Sequence, residues 1–403
     1  MSARFKPAHA RRRSPEAQAK LNRAEEKKQR IAGKPTSKRT STHGSHQKSL
    51  LPSQVNEENR LLFQRAKKLR ASKRFSQNFL ISGEYLHAIA THATVPELPL
   101  PIVEIGPGCG FLTERLLQLS HQPTVTAIEL DRRMIEFLET TLLPQTQGRL
   151  AIISGDVLKT EWDKPLPLID TPEALETSLA PFTLAGNLPY AISAPILLML
   201  AGELSQGHQA HPLRTRLKKA VLMLQKEVAE KVVASPHSKA WGTLAMTMQQ
   251  WFETTWVTEV PPQAFYPAPK VTSAVVALTP RKTPRCVPTL DGYSEACMLL
   301  WLECVIHAGC QQKRKTLLNN WKAYLLETLE GSAKKYGWTC EWLQGKRPDV
   351  SSLIQPLLEA TPLLRAESCD WDAWETWTCQ LVRTLSPWVK LTPTQTPLLS
   401  GTP

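Results

Sequence analysis

The sequence predicts an α/β protein: a doubly wound, mostly parallel sheet followed by a smaller, all-α C-terminal domain. Three observations carry this expectation. Short apolar runs at 100–105, 124–130, 149–154 and 182–187 alternate with segments of helical periodicity, the pattern of successive β-α units. The first run opens directly into Gly106-Pro107-Gly108-Cys109-Gly110 and a helix over 111–119, the strand–turn–helix entry of a ligand-binding sheet. Beyond Arg281 the strand patterning stops and the periodicity is helical.

The chain has 403 residues and 42% hydrophobic content, enough for two modest domains. Its formal net charge of +13 is uneven: about 21 Lys and Arg face about 5 Asp and Glu between Met1 and Arg74, so this part carries roughly +16 and the remainder roughly −3. Residues 1–72 are rich in Arg, Lys, Ser, Gln and Pro and read as a basic disordered arm, either RNA-binding through counterion release or simply solubilising. Charged helices over 17–31 and 57–69 are expected there on contact with a polyanion. Glu16, Glu25 and Glu26 argue against an organelle transit peptide. No apolar run approaches the ~18 residues of a membrane span, so a cytoplasmic protein with no membrane partner is expected. The eight cysteines form no Cys-x-x-Cys pair. Cys304-x-x-His307-x-x-Cys310 has helical spacing in an apolar stretch and reads as packed thiols, with no metal expected.

In chain order, Lys73-Arg74-Phe75-Ser76-Gln77-Asn78-Phe79-Leu80 leads into an amphipathic helix over 84–93; an amide-rich loop there covers a cofactor or simply enters the helix. The glycine turn departs from a dinucleotide fingerprint, whose third glycine falls where this chain has Phe111. The second strand ends in Glu129-Leu130-Asp131, about 20 residues beyond the glycines, where an acid commonly holds a ribose diol. A helix over 132–143 and the third strand follow, ending at Gly155-Asp156, an acid able to accept from an adenine amine. Each acid alone reads equally well as a helix cap or a solvated turn. Three successive strand ends of this kind describe a nucleoside cofactor without a diphosphate, the shape of S-adenosylmethionine.

Residues 160–181, with several Pro and acidic residues and no periodicity, read as a surface insertion. Helices are expected over 194–204, from Gln225-Lys226-Glu227, and over 240–250; a fifth strand at 219–224 and alternating strands at 252–260 and 273–278 complete the sheet with an antiparallel edge. The catalytic domain is thus assigned to 73–281. Helices over 293–307, 313–329, 353–360 and 371–385 form the second domain, 288–390, ahead of a loose tail at 391–403. Lys313-Arg314-Lys315-Thr316 begins one of them with three successive positive charges, a solvated face or a set of phosphate contacts.

The chemistry is assigned to Phe182-Thr183-Leu184-Ala185-Gly186-Asn187-Leu188-Pro189-Tyr190, a buried strand that opens at Gly186 into a turn. An aromatic amine such as adenine N6 is a poor nucleophile because its lone pair is delocalised. Two acceptors aimed at its hydrogens, the Asn187 side-chain oxygen and the Leu188 carbonyl, draw the nitrogen towards a nucleophilic geometry. Pro189 stiffens the turn and Tyr190 offers a stacking face. Phe265, in the proline-rich loop Pro261-Pro262-Gln263-Ala264-Phe265-Tyr266-Pro267-Ala268-Pro269-Lys270-Val271, is placed to close on the other face of the base.

The ordered series Gln77-Asn78-Phe79-Leu80, Glu104 to Gly110, Ile128-Glu129-Leu130-Asp131, Gly155-Asp156, Asn187-Leu188-Pro189-Tyr190 and Phe265-x-Pro267-x-Pro269-Lys270-Val271 resembles the ribosomal-RNA adenine N6-dimethyltransferases, over about residues 73–320. Val221 to Ala234 and Lys313-Arg314-Lys315-Thr316-Leu317 are similar to the KsgA-type small-subunit enzymes. The resemblance implies a class I S-adenosylmethionine-dependent methyltransferase fold. It implies that Asn78, Leu80, Gly106, Gly108, Glu129, Asp156 and Asn187 meet the cofactor, and that Asn187, Leu188, Tyr190 and Phe265 act on a flipped adenine. It also implies that Lys313, Arg314 and Lys315 contact RNA, and that the substrate is two adjacent adenines near the 3′ end of small-subunit rRNA, in an assembling particle met by a monomer. A resistance-type large-subunit rRNA methyltransferase and a non-catalytic ribosome-assembly or transcription-accessory factor remain as alternatives. The long arm, the insertion, the extension beyond about residue 345 and Cys109 in the glycine turn depart from the compact pattern of the family.

Overall fold

The strands β2 (Ile102–Ile105), β3 (Val125–Glu129), β4 (Leu150–Ser154), β5 (Phe182–Asn187), β6 (Leu217–Gln225), β7 (Phe252–Val260) and β9 (Ser273–Pro280) form one seven-stranded sheet in the order β4-β3-β2-β5-β6-β9-β7. All neighbours are parallel except β6–β9 and β7–β9, which make the expected antiparallel edge. A second ribbon pairs β1 (Phe79–Leu80) with β8 (Phe265–Tyr266). The structure is a computed structural model that describes residues 57–69, 71, 77–95, 98–170, 179–205, 216–359 and 364–393. These belong to one unit, Val55–Pro403. The helix expected over 17–31 lies outside the described residues.

The central strands are apolar without alternation because both faces of the sheet are covered. Alternate side chains divide between two layers: Ile102, Val125, Ala127, Ala185 and Val221 pack on one side, and Val103, Ile105, Ile128, Leu184 and Leu222 on the other. The first layer packs beneath α2 (Gly83–His92), α3 (Phe111–Leu117) and α4 (Arg132–Phe137), the second beneath α5 (Ser193–Ser205) and part of the insertion. Asp131 caps α4 by accepting from the Arg133 amide. The helix expected over 132–143 winds into a π-turn at Leu138–Leu142.

Two expectations are corrected around this sheet. The arm does not run to residue 72: α1 (Glu57–Leu69) is docked on the catalytic core. Arg65 makes a two-pronged hydrogen-bonded pair with Glu114 of α3, Arg115 pairs with Glu58, and the Asn59 side chain accepts from the Gly83 amide at 2.9 Å. Leu62 and Ala66 supply the buried stripe that such a charged sequence conceals. The insertion is not confined to the surface either, since Trp162, Leu166 and Ile169 enter the core and Trp162 stacks on Phe182. Its described ends are held by a buried ion pair, Arg216–Asp170 at 2.5 Å, whose side chains are 1% and 0% exposed. Arg216 also donates to the Trp162 and Ala180 carbonyls, while Asp170 accepts from the Leu166 and Ala180 amides.

The helical region contains α8 (Glu295–Gly309), α9 (Leu317–Lys335), α10 (Val350–Glu359) and α11 (Trp371–Leu385). It adds an antiparallel strand pair that helical patterning did not reveal, β10 (Trp338–Trp342) with β11 (Val389–Pro393), so residues 391–393 of the expected loose tail belong to a strand. Lys313, Arg314 and Lys315 do not begin a helix. They occupy the turn before α9, which starts at Leu317 with Thr316 as its cap; three cations in the first turn would oppose the positive end of the helix dipole.

The boundary between the two regions is also softer than the sequence suggested. Trp241, Ala245 and Met246, the last two from α7 (Thr243–Trp251), belong to the helical core, and Trp241 Nε1 donates to the Cys369 carbonyl at 2.8 Å. Gln250 exchanges two hydrogen bonds with the Cys286 backbone.

Truncating Asp170 leaves the Arg216 charge buried without its partner. Urea denaturation of Asp170→Ala is expected to show a loss of about 3–5 kcal/mol; a loss under about 1 kcal/mol would mean that the insertion is held by its apolar contacts alone.

Candidate active site

Parallel strands present their carboxyl ends on one edge of the sheet, and a crevice opens where neighbouring strands leave in opposite directions. Here that point lies between β2 and β5. A cavity of about 200 Å³ occupies it, lined by the ends of β2, β3, β4 and β5 and roofed by β1. The cavity brings together Asn78, Leu80, Gly106, Gly108, Glu129, Asp156, Asn187, Leu188 and Tyr190.

Gly106 and Gly108 have φ of +67° and +53°, a region costly for any residue with a Cβ, which keeps the turn's backbone open to a ligand. The Glu129 carboxylate accepts from the Gly108 amide at 3.0 Å and from the Leu130 and Asp131 amides at 2.8 Å. Burial raises its pKa, and these three bonds oppose the rise. Asp156 uses Oδ1 to accept from the Leu158 amide, leaving Oδ2 for a ligand. Asn187 Nδ2 donates to the Asn78 backbone carbonyl at 3.1 Å, which leaves Oδ1 as the acceptor of the turn. The Tyr190 hydroxyl bonds to Ser273 Oγ at 2.6 Å, and burial raises its pKa.

Phe265 does not line this cavity. Its ring is 3% exposed, packed in the core opposite Leu80 in the β1–β8 ribbon. Lys313 and Lys315 lie far along the chain, beside a second cavity of about 220 Å³ shared with Lys231 and Gln312; Arg314 does not line it. Cys304 is fully buried in the helical core, where desolvation pushes its pKa up.

Two polar residues of the cavity, Gln77 and Glu104, were not singled out beforehand as site residues. Gln77 donates to Asp131 at 3.0 Å and ties the covering loop to the second strand end. Glu104 is 1% exposed, accepts from Thr113 Oγ1 at 2.6 Å, and has its pKa pushed up to about 8 by desolvation, with the nearby Glu129 charge adding to the rise. The available signal was one carboxylate in an otherwise apolar four-residue strand, a costly placement without a purpose.

The lining fits S-adenosylmethionine. Among the described residues it holds the carboxyl groups of Glu129 and Asp156 beside the buried Glu104, and no Lys, Arg or His, which suits a cation and opposes a diphosphate. Apolar walls from Ile105, Ile128, Leu130 and Val157 suit a purine.

Sheet order and cavity together define a class I methyltransferase, a fold that implies S-adenosylmethionine as methyl donor. A family model described as ribosomal RNA adenine dimethylase matches residues 68–329. A "Ribosomal RNA small subunit methyltransferase A" from Thiobacillus denitrificans is 39% identical over 253 residues, covering 63% of this chain and 85% of the relative. One of the same name from Bacillus licheniformis is 36% identical over 296 residues, covering 73% and 91%. The crystal structure of a dimethyladenosine transferase from Plasmodium falciparum superposes with a TM-score of 0.51 at 25% identity, covering 76% of this chain and 96% of that one. The chain belongs to the ribosomal RNA adenine dimethylase family, and is an rRNA adenine dimethyltransferase.

The raised pKa of Glu104 has a measurable consequence. Between its ordinary value of 4.5 and about 8 the unfolded chain releases this proton while the folded chain keeps it, so the group's contribution to stability falls across that window and levels off above it. Glu104→Gln is expected to become progressively more stable than the parent from pH 4.5 towards 8, read by thermal melting. A constant difference across that range would show that Glu104 is ionised in the folded protein.

Proposed function

We propose that the chain transfers methyl groups from S-adenosylmethionine to N6 of two adjacent adenines near the 3′ end of small-subunit rRNA, within an assembling particle. The observation that carries this reading is the juxtaposition, in one cavity, of the carboxyl-lined cofactor site with the Asn187–Tyr190 turn. The small-subunit assignment draws support from the two relatives named for that substrate.

When bound, the cofactor supplies a methyl group on a positively charged sulfur. Glu129 holds the ribose diol and Asp156 the adenine amine, while Asn78 and Leu80 cover the ligand. The flipped target base stacks on Tyr190, whose ring is steadied through its hydroxyl by Ser273. Asn187 Oδ1 and the Leu188 carbonyl accept the two N6 hydrogens and turn the nitrogen lone pair out of conjugation. No base is needed before attack because the amine is neutral; the N–C bond forms as the S–C bond breaks, and the proton then lost from the nitrogen goes to water. Closure of Phe265 on the second face requires the β1–β8 ribbon to shift, since its ring is packed away from the cavity.

Lys313 and Lys315, with Lys231 across the second cavity, make the phosphate contacts of the helical region. The basic arm adds sequence-independent attraction for RNA. The protein acts as a monomer in the cytoplasm; among the described residues, no helix is long and apolar enough to cross a membrane.

Asn187→Ala is expected to lower turnover on unmethylated small subunits by about 10²-fold or more, with little change in cofactor affinity by calorimetry. Equal turnover would remove the turn from the chemistry. Deleting residues 1–54, which spares docked α1, is expected to weaken particle binding and flatten its salt dependence. An unchanged salt series would reduce the arm to a spacer. Mass spectrometry of small-subunit rRNA from cells lacking the protein tests the substrate: loss of dimethyladenosine from an adjacent pair is expected, and intact modification would refute it.

A further inference from the structure

The ring proposed to stack on the target base is held at both ends. At the backbone, the short turn Tyr190–Ile192 is tied to the start of α5 by Ser193, whose hydroxyl donates to the Pro189 carbonyl at 3.1 Å. At the tip, the Tyr190 hydroxyl and Ser273 Oγ share a hydrogen bond of 2.6 Å. Ser273 is wholly buried, a costly place for a hydroxyl without a partner, and Tyr190 supplies that partner. The phenol oxygen is thereby engaged with the protein, while Tyr190 still lines the cavity.

The position of Ser273 makes it a firm anchor. It opens β9, in register with Gln225 of β6 on one side and Val260 of β7 on the other, so its backbone is paired within the sheet in both directions. It also follows the proline-rich loop that carries Phe265. That loop is tied to its neighbours where the Thr272 carbonyl accepts from the Lys226 amide at 2.9 Å and the Ala264 carbonyl accepts from the Ile81 amide at 2.8 Å. The two walls proposed for the flipped base are therefore carried differently. Phe265 rides on the two-stranded ribbon, whereas the Tyr190 ring is tethered to the seven-stranded sheet.

We propose that Ser273 is a positioning residue for methyl transfer, holding the Tyr190 ring at the tilt that keeps the extruded adenine in line with the methyl donor. Ser273 does not line the cavity and acts only through Tyr190. The proposal rests on the reading of Tyr190 as the stacking face. Phosphate contacts dock the particle, and stacking acts afterwards, on a base that has already left its helix. A loosened ring lowers the fraction of docked particles whose adenine is in place, which is read in kcat and not in KM.

The test uses the full-length protein on unmethylated small subunits at saturating cofactor. Ser273→Ala and Tyr190→Phe delete the two ends of the bond and keep the ring. Each is expected to lower kcat about tenfold, within the range for weakening one base stack, with KM for the particle and calorimetric cofactor affinity unchanged. The double variant is expected to be no slower than either single one. Ser273→Thr, which restores the hydroxyl, is expected to recover part of the lost kcat. Parental kcat in Tyr190→Phe, losses that multiply in the double variant, or losses that appear in KM or cofactor affinity would overturn the role of Ser273. If Ser273→Ala does not fold, Tyr190→Phe carries the same expectation by itself. Tyr190→Ala, which removes the ring, is expected to lose kcat about a hundredfold. Parental kcat in that variant would overturn the stacking reading itself, whereas a slow Tyr190→Ala beside a fully active Tyr190→Phe would overturn the anchor alone.

Discussion

The parallel pairing of β2 with β5 is the constraint on which the site depends. Up to Glu104 and Ala185 the two strands are hydrogen-bonded neighbours; beyond that, the glycine turn leads one way into α3 and the Asn187 turn leads the other way into α5. The close approach is enforced at Gly186, where a Cβ would lie 2.9 Å from the Ile105 carbonyl oxygen. Only glycine lets the strands remain paired until the point of divergence, and the divergence makes the cavity. The proposed cofactor site and amine-accepting turn are therefore two sides of one crevice, set by backbone pairing instead of by long side chains.

The strands and their terminal residues were legible in the sequence because burial on both faces leaves little choice of residue. Runs such as Ile102–Ile105 and Val125–Glu129 read as strands, and the polar residues that end them stand out. Elements settled by distant partners were less legible. The helix α1 looks like part of a basic tail until Glu114 and Tyr266, some 50 and 200 positions away, supply its docking surface. Trp162 and Ile169 gave no periodicity, because their burial follows from Phe182 and from the Arg216–Asp170 pair and not from a local helix or strand. The three cations at Lys313–Lys315 suggested a helix start, but the cap at Thr316 sets it later. Phe265 was read from its motif, which gives no depth; only the ribbon with β1 shows its ring turned inward.

The catalytic and helical regions share material in a way that favours a fixed relation between the active-site cavity and the proposed RNA contacts. Trp241 and the beginning of α7 sit in the helical core, while Gln250 holds the linker backbone at Cys286. Burying a tryptophan and satisfying both ends of one amide side chain across the same boundary makes bending there costly. Lys313 and Lys315 consequently face Lys231 of α6 (Lys226–Val232) across a formed cavity, and are not carried on a loosely tethered module.

The bond from Asn187 to Asn78 ends on a main-chain oxygen. Sequence drift at position 78 can alter what the side chain offers to a nucleoside, yet it cannot delete a peptide carbonyl. The orientation of the key amide is thus insulated from point changes in its partner and exposed to anything that shifts the path of the chain. Substitution at position 78 can retune what the covering loop offers to a ligand, but an insertion or deletion beside it would displace the loop and the Asn187 amide together.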